Sequence, residues 1–278
     1  MLLLVHRMKL AKPLTAQFVP GIMLCLVLAM NASSATADDN TITPLDVARM
    51  KSVSSQAISP DGKSIAYTLR VQRDPLKDEN GSAWTELHVV DSGTGSSRPF
   101  ITGKVSISNV AWTPDGSGIS FLTKRDDDKT TSIYVIPIDG GEARKLIEHS
   151  TSISTFDWRD DGKQIAFLAK NKDDPAEKKI RDKGFNAEGY EEDLKSTRIW
   201  IVDAEFGSNQ KARLLDVPGS ASEVQWSHDG NLIAAAFAPT PLIDHYYMYR
   251  RYHILNAKTG KVVQKLNNPG KIGHLAWS

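Results

Sequence analysis

The chain is nearly free of cysteine: among 278 residues there is one, Cys25, and it sits close to the amino terminus. A disulfide framework is therefore excluded, and stability must come from apolar burial. No G-x-S-x-G nucleophile elbow occurs; Gly95-Ser96-Ser97-Arg98-Pro99 ends on the wrong residue and reads as a turn. The histidines are scattered, without an H-E-x-x-H pair or other ligand spacing, so no metal or cofactor is expected. Neither sign of charge dominates. The formal net charge of +1 removes the usual electrostatic reason for a nucleic-acid partner.

What is present begins with a leader-like amino terminus. Arg7, Lys9 and Lys12 form a basic flank, Phe18 to Met30 is apolar, and Ala35-Thr36-Ala37 offers a small-x-small cleavage site. That layout reads as a signal peptide over 1–37, with Met8 as an alternative start. The apolar run is too short for a comfortable membrane span. Met23-Leu24 before Cys25 argues against lipid attachment. The expectation is a secreted or periplasmic protein with no stable membrane anchor after cleavage and no thiol.

From 53 onward one pattern recurs: QAISPDGKSIAYTL, AWTPDGSGISFLT, FDWRDDGKQIAFLA and VQWSHDGNLIAAAF. Its Asp-Gly pairs start at Asp61, Asp115, Asp161 and Asp229, spaced 54, 46 and 68 residues apart. Asp-Gly favours a tight turn because glycine accepts positive φ. The second copy shows the whole unit. Strands are expected near Val105–Trp112, Ser117–Thr123, Thr131–Ile138 and Glu142–Ile147, with a second turn at Asp139-Gly140-Gly141. Four strands repeated at about 40–50 residues are the signature of a propeller blade. The fold class is therefore all-β: a partial β-propeller of four-stranded antiparallel blades. The final KIGHLAWS, which matches AWT and QWS, reads as the first strand of a fifth blade. Four blades and one strand leave an open edge, so the chain is expected to be the front of a larger protein.

Residues 38–52 read as a linker with a short helix from Thr43 to Met50, capped by Thr43 and opened by Pro44. Leu45, Ala48 and Met50 are expected to lean on the sheet edge. The Asp-Gly pairs lack the ligand series of a calcium loop and are read as turns. Trp112, Trp158, Trp226 and Trp277 recur at one position and mark core between blades. Arg125 to Lys129 reads as a solvated loop. His245 beside Asp244 reads as a local pair. Lys170 to Ser196 is a long charged insertion into the third blade, with Phe185, Tyr190 and Leu194 expected to anchor it. Within it the adjacent carboxylates of Glu191 and Glu192 are the candidates for contact with a substrate amino terminus. No catalytic residue is assigned.

These elements resemble the amino-terminal propeller of the prolyl-oligopeptidase superfamily of serine peptidases, most nearly its secreted bacterial acylaminoacyl-peptidase and dipeptidyl-peptidase members. TPLDVARMKSVSSQAISPDGKSIAYTLRV, AWTPDGSGISFLTKR, GYEEDLKSTRIWIVD and VQWSHDGNLIAAAF carry the likeness. The resemblance implies a seven- or eight-bladed ring stacked on a carboxy-terminal α/β-hydrolase domain. That domain would supply the serine, aspartate and histidine, and the propeller would filter peptide substrates. Glu191 and Glu192 are then the counterparts of a double glutamate that holds the substrate amino terminus. The triad-bearing domain is outside this sequence, so the chain alone is expected to be inactive. The rival expectation is a TolB-like periplasmic propeller that binds proteins without catalysis.

Overall fold

In a computed structural model, which describes residues 41–187, 189–207 and 211–278, the four Asp-Gly turns all connect a first strand to a second. Three of these turns are built the same way. Thr113 Oγ1 donates to Asp115 Oδ1 at 2.6 Å, and the same carboxylate oxygen accepts from Ser117 N at 3.1 Å. Ser59 with Asp61 and Ser227 with Asp229 repeat the short hydroxyl bond at 2.6 Å. Gly116 follows at φ 72°, where a side chain would be strained. The third blade departs: Arg159 replaces the hydroxyl and pairs with Asp161 at 3.3 Å.

The strands form four separate four-stranded antiparallel sheets, each ordered as a simple meander. Blade 1 is β1 (Ser52–Ile58), β2 (Ser64–Val71), β3 (Trp84–Asp91) and β4 (Ser97–Ile101). Blade 2 is β5 (Ser108–Trp112), β6 (Gly118–Thr123), β7 (Ser132–Pro137) and β8 (Arg144–Ile147). Blade 3 is β9 (Ile153–Trp158), β10 (Gln164–Lys170), β11 (Thr197–Asp203) and β12 (Arg213–Leu215). Blade 4 is β13 (Ser220–Trp226), β14 (Leu232–Ala238), β15 (Arg251–Asn256) and β16 (Val262–Lys265). A helix α1 (Pro44–Ala48) precedes them, α2 (Pro175–Asp182) lies between β10 and β11, and a π-helix (His245–Tyr249) lies between β14 and β15.

Central strands bury both faces, so they read as apolar runs rather than alternations. Ile119 and Phe121 of β6 join the core shared with blade 1, while Leu122 joins the core shared with blade 3. Phe167 of β10 faces back to blade 2, and Ala166 and Leu168 face forward to blade 4. Three buried clusters thus fill the joints between consecutive blades. Fully burying one such phenylalanine contributes up to about 3 kcal/mol.

Arginines at the starts of three outer strands tie each blade to the next. Arg98 Nη2 donates to Ile138 O at 2.9 Å, Arg144 lies 4.1 Å over the Phe206 ring, and Arg213 Nη2 donates to Ala257 O at 2.8 Å. These contacts put the first-to-second turns and third-to-fourth hairpins of neighbouring blades on one face. The second-to-third connections, including α2 and the π-helix, then emerge on the opposite face.

Lys271–Ser278 carries no ladder pairing. It nevertheless lies against blade 4: Tyr252 Oη donates to Gly273 O at 3.1 Å, and His274 Nδ1 stands 3.7 Å from Glu223 Oε2. In α1 Leu45 and Ala48 are half-buried as expected, but Met50 is exposed. The signal-peptide reading over 1–37 lies outside the described residues.

Candidate functional site

The insertion between β10 and β11 is more ordered than a charged loop. Asp174 accepts from Ala176 N at 2.8 Å, which caps α2, and Pro175 occupies the first helical turn, where no amide donor is needed. Both ends of the insertion are tied to this helix. Asp173 pairs with Arg181 at 2.8 Å and with Lys195, and Lys195 also reaches Glu177 at 3.4 Å. The Lys195 hydrogen bond, aided by Arg181, holds the Asp173 carboxyl below the usual range, and Asp173 in turn raises Lys195.

Three apolar side chains do not anchor this segment. Phe185 is 72 % exposed, Tyr190 89 % and Leu194 47 %, because the ion pairs and the capped helix already set the path of the chain. Instead Ile180, Phe185 and Leu194 line an open cleft of about 320 Å³ with Arg181, Glu192 and Lys195. Glu192 sits at its edge, after a turn in which Glu192 N donates to Gly189 O at 3.2 Å. Glu191 is held at φ 61° in that turn and is not among the cleft residues. The two glutamates are both exposed, and only one of them faces the apolar lining. The charged lining is mixed, with Arg181 and Lys195 against Glu177, Glu192 and Asp193. Among the described lining residues there is no serine, threonine or cysteine.

Other sequence readings move. His245 bonds Thr240 through Nδ1 at 2.8 Å rather than Asp244. Arg125 to Lys129 is not simply solvated: Asp128 accepts from Tyr134 Oη at 2.7 Å and pairs with Lys145. Burial and that carboxylate push the Tyr134 hydroxyl up to about 12. Among the described residues no group of three or more histidines, cysteines or carboxylates is placed to hold a metal.

Fold and site together define an open β-propeller segment with a charged, apolar-lined insertion on one face. Residues 38–154 match the family model of the prolyl oligopeptidase N-terminal beta-propeller domain. That stretch is similar to the amino-terminal propeller of the prolyl-oligopeptidase family. The uncharacterized peptidase YuxL of Bacillus subtilis is 30 % identical over 87 residues, which is 31 % of this chain and 13 % of YuxL. The acylaminoacyl peptidase of Pyrococcus horikoshii superposes with a TM-score of 0.52 at 16 % identity, over 81 % of this chain and 33 % of that one. A putative TolB from Agrobacterium tumefaciens gives 0.53 at 18 % identity, over 77 % and 66 %. At such identities the superpositions speak for the fold. The chain spans less than two thirds of each of these relatives.

Proposed function

We propose that this propeller is the substrate-filtering part of a secreted serine exopeptidase. A carboxy-terminal α/β-hydrolase domain would carry the catalytic serine, aspartate and histidine. The family match over 38–154 carries the reading; the names of YuxL and of the P. horikoshii protein support a peptidase. Peptides are then the substrates, and the insertion borders their route. Its backbone and charges cannot fill a core, so they meet water or a neighbouring domain. Glu192 would take the substrate amino terminus, with Glu191 adding charge beside it. The leader-like residues 1–37 support export, and near-neutral composition gives no support to nucleic acid as a ligand.

The test uses the longer protein that contains the hydrolase domain. Replacing both Glu191 and Glu192 with glutamine should raise KM about tenfold for substrates with a free amino terminus, as loss of one charge-assisted contact does. Blocked substrates should be unaffected. Equal kinetics for both classes would end the amino-terminus role. A second reading, a TolB-like binding propeller without catalysis, is favoured by the superposition on the A. tumefaciens protein. It requires that the longer protein show no serine-inhibitor-sensitive peptide hydrolysis.

A further inference from the structure

A second cleft lies on the same face, at blade 4. Pro218, Pro239, Phe237 and Tyr249 form its apolar part, Arg251 and Lys265 stand at it, and its volume is about 360 Å³. Among the described residues no carboxylate lines it. Among the described residues, too, Arg251 hydrogen-bonds carbonyls, Arg250 O at 2.6 Å and Met248 O at 3.5 Å, and forms no ion pair. Lys265 is exposed on the edge strand β16. Burial, together with the charge of Lys265, pushes His253 down, so the imidazole adds no positive charge.

Beside the cleft the π-helix displays Tyr247, Met248 and Tyr249, each at least half exposed. This display is held rigidly. Arg250 stacks 4.5 Å over Tyr246 and is fixed by Glu223 at 3.0 Å and Ser222 at 3.2 Å. His245 packs edge-on to Tyr249 at 5.4 Å. Pre-organised tyrosine and methionine left in water are costly unless a partner covers them, and tyrosine loses little entropy when it is covered. Grooves lined by aromatic rings and prolines suit extended chain, whose apolar residues enter the groove while its backbone runs along it.

We infer that this cleft docks an extended acidic segment of polypeptide through one apolar anchor residue. The apolar walls take the anchor; Arg251 and Lys265 select for flanking carboxylates. The proposal goes beyond the peptidase reading and is independent of it, because binding is read without turnover.

The experiment measures fluorescence anisotropy of labelled peptides with the whole chain. Two probes share a proline-flanked leucine core; one has aspartate and glutamate flanks, the other lysine flanks. The acidic probe should bind at least about tenfold more tightly than the basic one at low salt. Tyr249→Ala should weaken the acidic probe about tenfold. Lys265→Glu should narrow or reverse the preference between probes. Both side chains are exposed, so thermal melts should match the parent chain. Equal binding of the two probes, no binding of the acidic one, or an acidic-probe affinity unchanged in both variants would overturn the proposal.

Discussion

Trp226 hides its indole Nε1 without a hydrogen-bond partner, whereas its sister Trp158 donates to Ser120 Oγ at 2.9 Å. Between these two blades the difference coincides with one residue type, although Trp112, which shares a core cluster with Ala66, reaches the Ala57 carbonyl directly at 2.9 Å. After each Asp-Gly turn a small residue, Ala66, Ser120, Ala166 or Ala234, follows a conserved-length pair and isoleucine, and only one of the four has a hydroxyl. Ala166 shares its core cluster with Trp226. In the sister blade Ser120 Oγ both accepts from Trp158 and donates to Ala111 O at 2.9 Å. Ala166→Ser should therefore give Trp226 its missing acceptor, with the Asp157 carbonyl opposite as the serine's own acceptor. The expected gain is about 1 kcal/mol, a rise in Tm of about 2–4 °C. A fall in Tm of that size would mean that the hydroxyl is buried unpaired and that the blades are not equivalent at this joint.

Elements differ in how plainly the residues announce them. The four first-to-second turns were legible because Asp-Gly has one stereochemical use there, with every glycine at positive φ, and in three of them a Ser or Thr hydroxyl bonds the aspartate as well. The tying arginines Arg98, Arg144 and Arg213 were not legible: nothing in the sequence separates them from other surface cations, and only packing shows that they reach the next blade. The π-helix was not legible: its hydrogen-bond register has no residue signature, and tyrosines suit strands as well. The helix in the insertion reads from sequence only as charged loop, because Ile180 is the one large apolar residue of α2, too little for a periodic stripe. The helix consequently depends on its cap and ion pairs. Asp174→Ala should cost about 1 kcal/mol of local stability. Faster amide exchange confined to residues 176–182, with blade strands and Tm unchanged, is the expected result; protection unchanged in α2 would show that the ion pairs suffice.

At the scale of the whole array, stability depends on three joints in series, and the joint between blades 3 and 4 brings together a carboxyl and a histidine that are both shifted upward by folding. Asp157 on β9 accepts from Trp226 N on β13 at 2.7 Å, and Asp160 meets His228 at 2.9 Å across the same joint. Burial, reinforced by Asp160, pushes the Asp157 carboxyl up to about 6. Its hydrogen bond to Asp160 raises His228. The remaining charges at these turns are Arg159, which pairs with Asp161 and lies 5.8 Å over Trp226, and Asp229, drawn down to about 2 by its bonds to Ser227 and Asn231. A carboxyl raised by folding holds its proton more tightly in the folded state, so stability increases as pH falls from above 6 towards 4. A histidine raised by folding acts in the same direction: its contribution is complete below about 6.5 and is lost as pH climbs through the higher folded value. The turn aspartates oppose both, but only in acid, since a lowered carboxyl loses its contribution as pH drops below its ordinary value near 3.8. His149 and His253, both lowered by burial, act the other way and cost stability as pH falls below about 6.5. What should weaken as pH rises from about 5 to 8 is thus the part of stability that Asp157 and His228 carry. Asp157→Asn keeps an acceptor for Trp226 N without the buried charge. It should raise stability at pH 7.5 by about 1–2 kcal/mol and flatten the urea-melt profile between pH 5 and 7. His228→Gln should remove the remaining slope above pH 6.5. Melting curves of Asp157→Asn that stay parallel to the parent from pH 5 to 8 would show that water reaches this carboxylate and that the joint does not sense pH.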